Sequence, residues 1–425
     1  MISMYMNKEQ TFLPTLIAFA FIVLFLYLPS YIGLFTIIVS LVGIVISRTP
    51  LLLFLSFLTF SLGIAFDYYI RVSPYFYFYS KNGVTAEFLC LISGLLFTLF
   101  FYYDRYTESQ GIGYVKINVV FPKISRLYFW PLVLTVLFVS YFILNNTSSL
   151  LSGDFDAYDL QKYPFLEYMG MVLAFLLLSA MRNGKFCVFI AYIVGGGYVL
   201  LCVLTSYRMV AIISALSIIF VFQSNKRVNK IPLTIVWLFS YVILTFISYF
   251  RIGIFEVNFE NILGYQNGQL DNTFTGVIET ALIYTGMYTT QGIEKILAHL
   301  IGTILPIPNS LIPDSLLYIV EANRLYYMPG GGILAGFVIY FNYIFLIPFL
   351  IYVNYATKKA KVNKIAAVMS LILFSTITRW WLYGPFVIFK FFGAFLLLYG
   401  INCILLNCDL LVLRNVLRKR RDVRL

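Results

Sequence analysis

The sequence predicts an all-α polytopic integral membrane protein, with about 12 transmembrane helices and one long external loop. Three observations predict it. Of 425 residues, 61% are hydrophobic and only 11% are charged, where soluble proteins carry roughly 25% charged residues. Apolar runs recur along the whole chain, which leaves no room for an attached soluble catalytic domain. The formal net charge is +12, and its basic residues fall in short segments between the apolar runs. That is the positive-inside pattern of membrane proteins, so no nucleic-acid partner is expected.

A spanning helix needs about 20 predominantly apolar residues. Candidate runs lie near 12–28, 31–47, 50–66, 84–103, 128–144, 165–180, 186–205, 209–222, 231–250, 333–353, 365–383 and 385–406. The first has signal-peptide length, but no small-x-small cleavage site follows it and further runs come at once. It therefore reads as an uncleaved first helix. The stretch 186–222 is too long for one helix and just long enough for two short ones. Its break falls at Thr205-Ser206-Tyr207, with a bend at Gly195-Gly196-Gly197 as the alternative.

Charge orients these runs. Segments 104–127, 181–185, 223–230, 354–364 and 414–425 are basic and fall on one side in strict alternation. The opposite side receives 145–164, with Asp154, Asp156 and Asp159 against Lys162, and the acid-rich segment 251–332. Both termini are thus expected in the cytoplasm of a multi-pass protein. Three regions follow: 1–250 with the first nine transmembrane helices, 251–332 as the long external loop, and 333–425 with the last three helices and a basic tail. Within the loop, 273–300 reads as short, partly amphipathic helices, and Pro306, Pro308 and Pro313 force turns.

Few chemistry-bearing residues interrupt the apolar pattern. In this parse Arg208, Arg251, Arg324, Arg379 and Lys390 share the outer depth range. A charge at hydrocarbon depth costs about 2.5–3.5 kcal/mol on insertion scales, so such residues face a partner, a cavity or an anionic ligand. Guanidinium forks and ammonium groups together suit phosphate oxygens. The same groups near helix ends also fit simple snorkelling to headgroups. Trp380 and Trp381 beside Arg379 read as an interfacial belt, with a sugar-stacking wall as the alternative.

Gly330-Gly331-Gly332 after Pro329 fits an anion-cradling turn or a flexible interfacial one, and no GKS/T sequence follows to indicate nucleotide hydrolysis. Asn342 fits either a helix–helix hydrogen bond or a ligand contact. His299, the single histidine, and Glu321, three residues before Arg324, are the candidate general bases, with Glu279, Glu294 and Asp314 as further external acids. Cys90, Cys187, Cys202, Cys403 and Cys408 lie in or beside apolar runs without metal-ligand spacing. They read as small buried hydrophobes, and no metal or cofactor is expected.

TSYRMVAI (205–212), PGGGILAGFVIYFNY (329–343) and TITRWWLYG (376–384), with the late external loop, resemble the O-antigen polymerases, the Wzy-type repeat-unit polymerases of bacterial polysaccharide synthesis. The resemblance covers most of the chain as a plan and rests on short motifs. It implies a GT-C-like membrane glycosyltransferase architecture. The implied reaction transfers a growing glycan from undecaprenyl pyrophosphate to a new lipid-linked repeat unit, at the periplasmic face of the inner membrane. Undecaprenyl-pyrophosphate-linked oligosaccharides are the implied substrates, and a chain-length regulator and a flippase the implied partners. The cation layer, with Gly330, Gly331 and Gly332, would then hold the pyrophosphate, and Glu321 or His299 would take the acceptor proton. Two alternatives stay open: a lipid-linked oligosaccharide flippase, and the related O-antigen ligase, which shares the donor and differs in acceptor.

Overall fold

The structure is a computed structural model of the full chain. It describes residues 8–71, 85–105, 114–146, 164–205, 207–239, 278, 346–383 and 386–422. The described residues are largely helical. Helices α1 (Lys8–Tyr27), α2 (Ile32–Ile46), α3 (Pro50–Arg71) and α4 (Ala86–Arg105) come first. After strand β1 (Tyr114–Lys116) follow α5 (Phe129–Asn146), α6 (Met169–Asn183), α7 (Lys185–Leu204) and α8 (Arg208–Phe222). Strand β2 (Arg227–Asn229) precedes α9 (Lys230–Phe239), and the chain closes with α10 (Leu346–Lys359), α11 (Lys364–Ser375), α12 (Ile377–Tyr383) and α13 (Phe386–Asp422).

The expected count of transmembrane helices is corrected here. Among the described residues, 5 helices are long and apolar enough to cross a membrane: Pro29–Ile46, Pro50–Asp67, Arg126–Asn145, Lys185–Leu204 and Lys390–Asp409. Six other apolar runs end as shorter helices, Phe12–Tyr27, Ala86–Tyr102, Met169–Asn183, Val210–Phe222, Lys230–Phe239 and Lys364–Ser375. The physical reason is rise per residue. At 1.5 Å per residue, the 15 residues of α6 reach only about 22 Å, short of the roughly 30 Å hydrocarbon core. Hydropathy summed apolar turns together with the helices they join. The twelve-span, GT-C-like plan therefore does not describe this fold.

The split of 186–222 is resolved: α7 ends at Leu204 and α8 begins at Arg208, while Gly195, Gly196 and Gly197 lie inside an unbroken helix. The last helix runs on where a tail was expected, with 37 residues from Phe386 to Asp422, about 55 Å in length.

The helix ends sort into two groups. At one end Asp104 of α4 meets the α2–α3 turn, β1 pairs antiparallel with β2, and the Val120 N–H donates to the Ala360 carbonyl at 3.0 Å. These contacts bring residues 104–105, 114–127, 223–230 and 354–364 together, and the Arg182 guanidinium adds segment 181–185 by donating to the Ile124 carbonyl. The charge alternation thus corresponds to a real gathering of basic segments at a single end of the bundle. At the opposite end the Arg71 guanidinium lies 5.2 Å from the Tyr31 ring centre, Phe25 packs on Phe88, and Tyr168 on Phe391. It follows that α1 begins and α13 passes out at the basic end.

Two devices let these helices pack closely. Ser and Thr side chains bond back to carbonyls four residues earlier, as Ser40 does to Thr36 at 2.6 Å and Ser56 to Leu52 at 2.7 Å. This satisfies hydroxyls that would otherwise be buried unpaired. Small residues line the α2–α3 seam, where a Cβ added at Gly33 would stand 2.7 Å from the Asp67 backbone. Gly33→Leu is expected to push α2 off α3 and to destabilise the fold by about 1–3 kcal/mol. A thermal melt of the purified variant in detergent checks this, and an unchanged midpoint would contradict the packing. Gly184, at φ +117 between α6 and α7, takes a conformation open to glycine.

Candidate functional site

Arg208 heads α8 because the chain breaks just before it. The Thr205 hydroxyl folds back to donate to the Leu201 carbonyl at 2.7 Å, and the Tyr207 N–H donates to Cys202 O at 2.8 Å. Those bonds close α7. Tyr207, at ψ 55, turns the chain out of helical geometry, and no side chain caps α8. The first turn of α8 therefore presents its backbone N–H groups at the positive end of the helix dipole.

Lys390 lies one turn into α13 and is half-buried. Its neighbour Phe391 is fully buried, with its ring 6.1 Å from that of Tyr168. The 3-10 turn Pro164–Tyr168 that carries Tyr168 also packs against α8. One turn thus joins the helix headed by Arg208 to the helix bearing Lys390, at the end opposite the basic segments.

Arg379 stands elsewhere. α11 stops at Ser375, where the Thr376 hydroxyl bonds back to Ile372, and the seven-residue α12 runs among α3, α8 and α13. Phe374, just before the break, is wedged 5.0 Å from both Phe54 and Phe220. Trp380 packs on Phe100, four residues before Asp104, and on Phe349. α12 therefore lies inside the bundle rather than at the outer end, and Arg379 on it is half-buried. The interfacial-belt reading of the two tryptophans is corrected too, and so is the sugar-stacking wall. Trp380 is 0% and Trp381 1% exposed, so neither ring reaches headgroups or an open face. The Trp380 indole donates to Leu373 O at 2.7 Å, tying α12 back to α11.

Arg251, Arg324, Gly330, Gly331, Gly332, Glu321, His299 and Asn342 lie outside the described residues, as do Glu279, Glu294, Asp314 and the loop 251–332 apart from Ile278. Of the expected site, the structure brings the helices of Arg208 and Lys390 together and sets Arg379 deeper. Among the described residues, no group of three His, Cys, Asp or Glu side chains is placed to hold a metal ion.

Two polar constellations at the basic end escaped the sequence reading. Asp104, 4% exposed, accepts from the Arg48 N–H at 2.8 Å, the Thr49 N–H at 2.7 Å and the Thr49 hydroxyl at 2.6 Å. Burial pushes its carboxyl above the ordinary 3.8, while the Thr49 and Arg48 donors pull it back. Beside it, the Lys230 ammonium donates to the Val45 carbonyl at 2.8 Å, and burial lowers its pKa against the pull of Asp104.

The second constellation holds the turn Lys123–Arg126. Asn402 accepts from the Ser125 N–H at 2.7 Å and donates to Lys123 O at 3.1 Å. Asp409 accepts from the Ser125 hydroxyl at 2.7 Å, and Ser179 donates to Ser125 O at 2.7 Å. The available signal was the pair of polar residues inside the apolar α13, since such residues in a membrane helix call for interhelical partners.

Compared with known proteins, the chain matches no family model, no curated protein and no solved structure.

Proposed function

We propose that this chain is a membrane glycosyltransferase that polymerises oligosaccharide repeat units carried on undecaprenyl pyrophosphate, as in O-antigen or a related surface polysaccharide. Several candidate membrane-spanning helices in a largely helical chain are consistent with a multi-pass membrane protein. In this reading the basic end faces the cytoplasm of a bacterial inner membrane, and both termini lie there. The observation that carries the reading is the placement of Arg208 and Lys390. Both stand at the end opposite the basic segments, which this reading sets on the periplasmic side, on helices joined through the Pro164–Tyr168 turn.

The chemistry asked of that end is electrostatic. The C1–O bond to the donor pyrophosphate breaks, and the pyrophosphate leaves with the electron pair. The acceptor hydroxyl oxygen bonds to C1, and its proton passes to a base, for which Glu321 and His299 are the candidates. Cations at the phosphate level stabilise the charge that grows on the leaving group. A single displacement inverts the anomeric centre. No nucleotide is consumed, and a flippase and a chain-length regulator are the partners that would supply and terminate the reaction.

The test is reconstitution. The purified chain is placed in liposomes with undecaprenyl-pyrophosphate-linked repeat units, and products are resolved on a gel. A ladder of multiples of the repeat unit is expected. Donor consumption without any product longer than one unit, or lipid movement across the bilayer without glycan growth, would overturn the proposal.

A further inference from the structure

We propose that the basic end of the bundle is a docking surface for acidic phospholipid headgroups, centred on the turn between α10 and α11. This inference stands apart from the glycosyltransferase reading and concerns the opposite end of the molecule. Lys358, Lys359, Lys361 and Lys364 are all exposed on that turn. Val362, 70% exposed, and Ile365, 59% exposed, are interleaved with them. Cationic groups alternating with exposed apolar side chains suit a surface that is anionic outside and apolar just beneath, which is a leaflet of acidic lipid.

The display is rigid. The Asn363 side chain caps α11 by accepting from Ile365 N at 2.8 Å and Ala366 N at 3.2 Å. The Ala360 carbonyl is held by Val120 N at 3.0 Å, and the Tyr352 hydroxyl donates to Met369 O at 3.0 Å, joining α10 to α11. The backbone that carries these lysines is thus already ordered, and binding has only their side chains left to order.

Asp104 and Asp409, two acids at this end, turn inward onto backbone N–H groups and hydroxyls. The depth fits as well. Trp130, 57% exposed, lies one turn past Arg126, and Phe186, 73% exposed, follows Lys185. Aromatic side chains next to cations mark the boundary between hydrocarbon and headgroups.

The test uses the full chain in phosphatidylcholine nanodiscs with and without phosphatidylglycerol, and counts lipid retained per protein by mass spectrometry after detergent extraction. Preferential retention of phosphatidylglycerol is expected. It should fall on the order of tenfold in the K358Q/K359Q/K361Q/K364Q variant, and persist when the same four lysines become arginine. Equal retention by the glutamine variant overturns the proposal. So does full release of the lipid by soluble inorganic phosphate, which would mean a phosphate site rather than a lipid surface. If the glutamine variant does not fold, V362S/I365S decides: undiminished retention there refutes the apolar half of the surface.

Discussion

Asp104→Ala is expected to destabilise the folded protein by about 3 kcal/mol, the sum of leaving several buried donors without an acceptor. The Arg48 N–H, the Thr49 N–H and the Thr49 hydroxyl all point at this one carboxylate. They belong to the turn that reverses the chain between α2 and α3, where the Thr49 hydroxyl accepts from the Leu52 N–H at 3.3 Å and so caps α3. Asp104 therefore fixes the capping residue Thr49 from another helix, and its loss uncouples α4 from the α2–α3 pair. Asp104→Asn should be milder. One amide oxygen can still accept from Thr49, but the amide nitrogen then faces the Arg48 N–H, donor against donor.

The pH dependence has a definite sign. Burial raises the folded-state pKa of Asp104 above 3.8, so the folded protein holds this proton more tightly than the unfolded chain does. The resulting stabilisation is fully present below 3.8 and is lost as pH rises through the raised pKa. Asp104→Asn has no such proton. The stability gap between the native chain and Asp104→Asn should therefore shift in favour of the variant across that interval, and be flat above it. Melting midpoints of the three proteins between pH 3.5 and 7.5 decide the matter. An Asp104→Ala variant that melts with the native chain would remove the capping role.

Asp104 also shows where sequence reasoning stopped. Hydropathy located the apolar runs, and the charge alternation identified which segments gather at one end, because both depend on the local solvent of each residue. The break before Arg208 was legible for the same reason: Thr205-Ser206-Tyr207 interrupts an apolar run too long for one helix. Helix length was not legible, because leucines and phenylalanines in turns look like leucines and phenylalanines in helices. Tertiary hydrogen bonding was not legible either. Asn402 and Ser125 are separated by 277 positions, and nothing periodic connects them. Burial of Trp380 and Trp381 was misread because an indole at an interface and an indole in a core share one sequence context. What distinguishes them is the break at Thr376, which tips α12 among its neighbours rather than letting α11 run on.

That tilt bears on the second large effect. Under the proposed function, Arg208→Ala is expected to leave the protein in the membrane while cutting the polymerisation rate by about 10²–10³-fold, the range for removing one donor to a developing anion, and Arg379→Ala to cut it by disturbing the interior helix that carries it. Surface glycan in a strain carrying either variant would then stop at single repeat units. The two should differ in kind. Arg208 begins a helix at the end opposite the basic segments, so its loss removes a charge at the first position of α8. Arg379 lies between Thr378 and the fully buried Trp380, on a helix enclosed by α3, α8 and α13. Its truncation also disturbs an interior contact, and the melting midpoint of Arg379→Ala should fall while that of Arg208→Ala holds. Arg→Lys separates the roles. A lysine keeps the charge but loses the bidentate fork, so Arg208→Lys should recover part of the activity if a phosphate is gripped there, and none if the residue merely fills a helix end. Normal long chains in both alanine variants would sink the cation-layer mechanism. Long chains in Arg379→Ala alone would confine it to the outer end, where Arg208 and Lys390 stand on helices that share one turn.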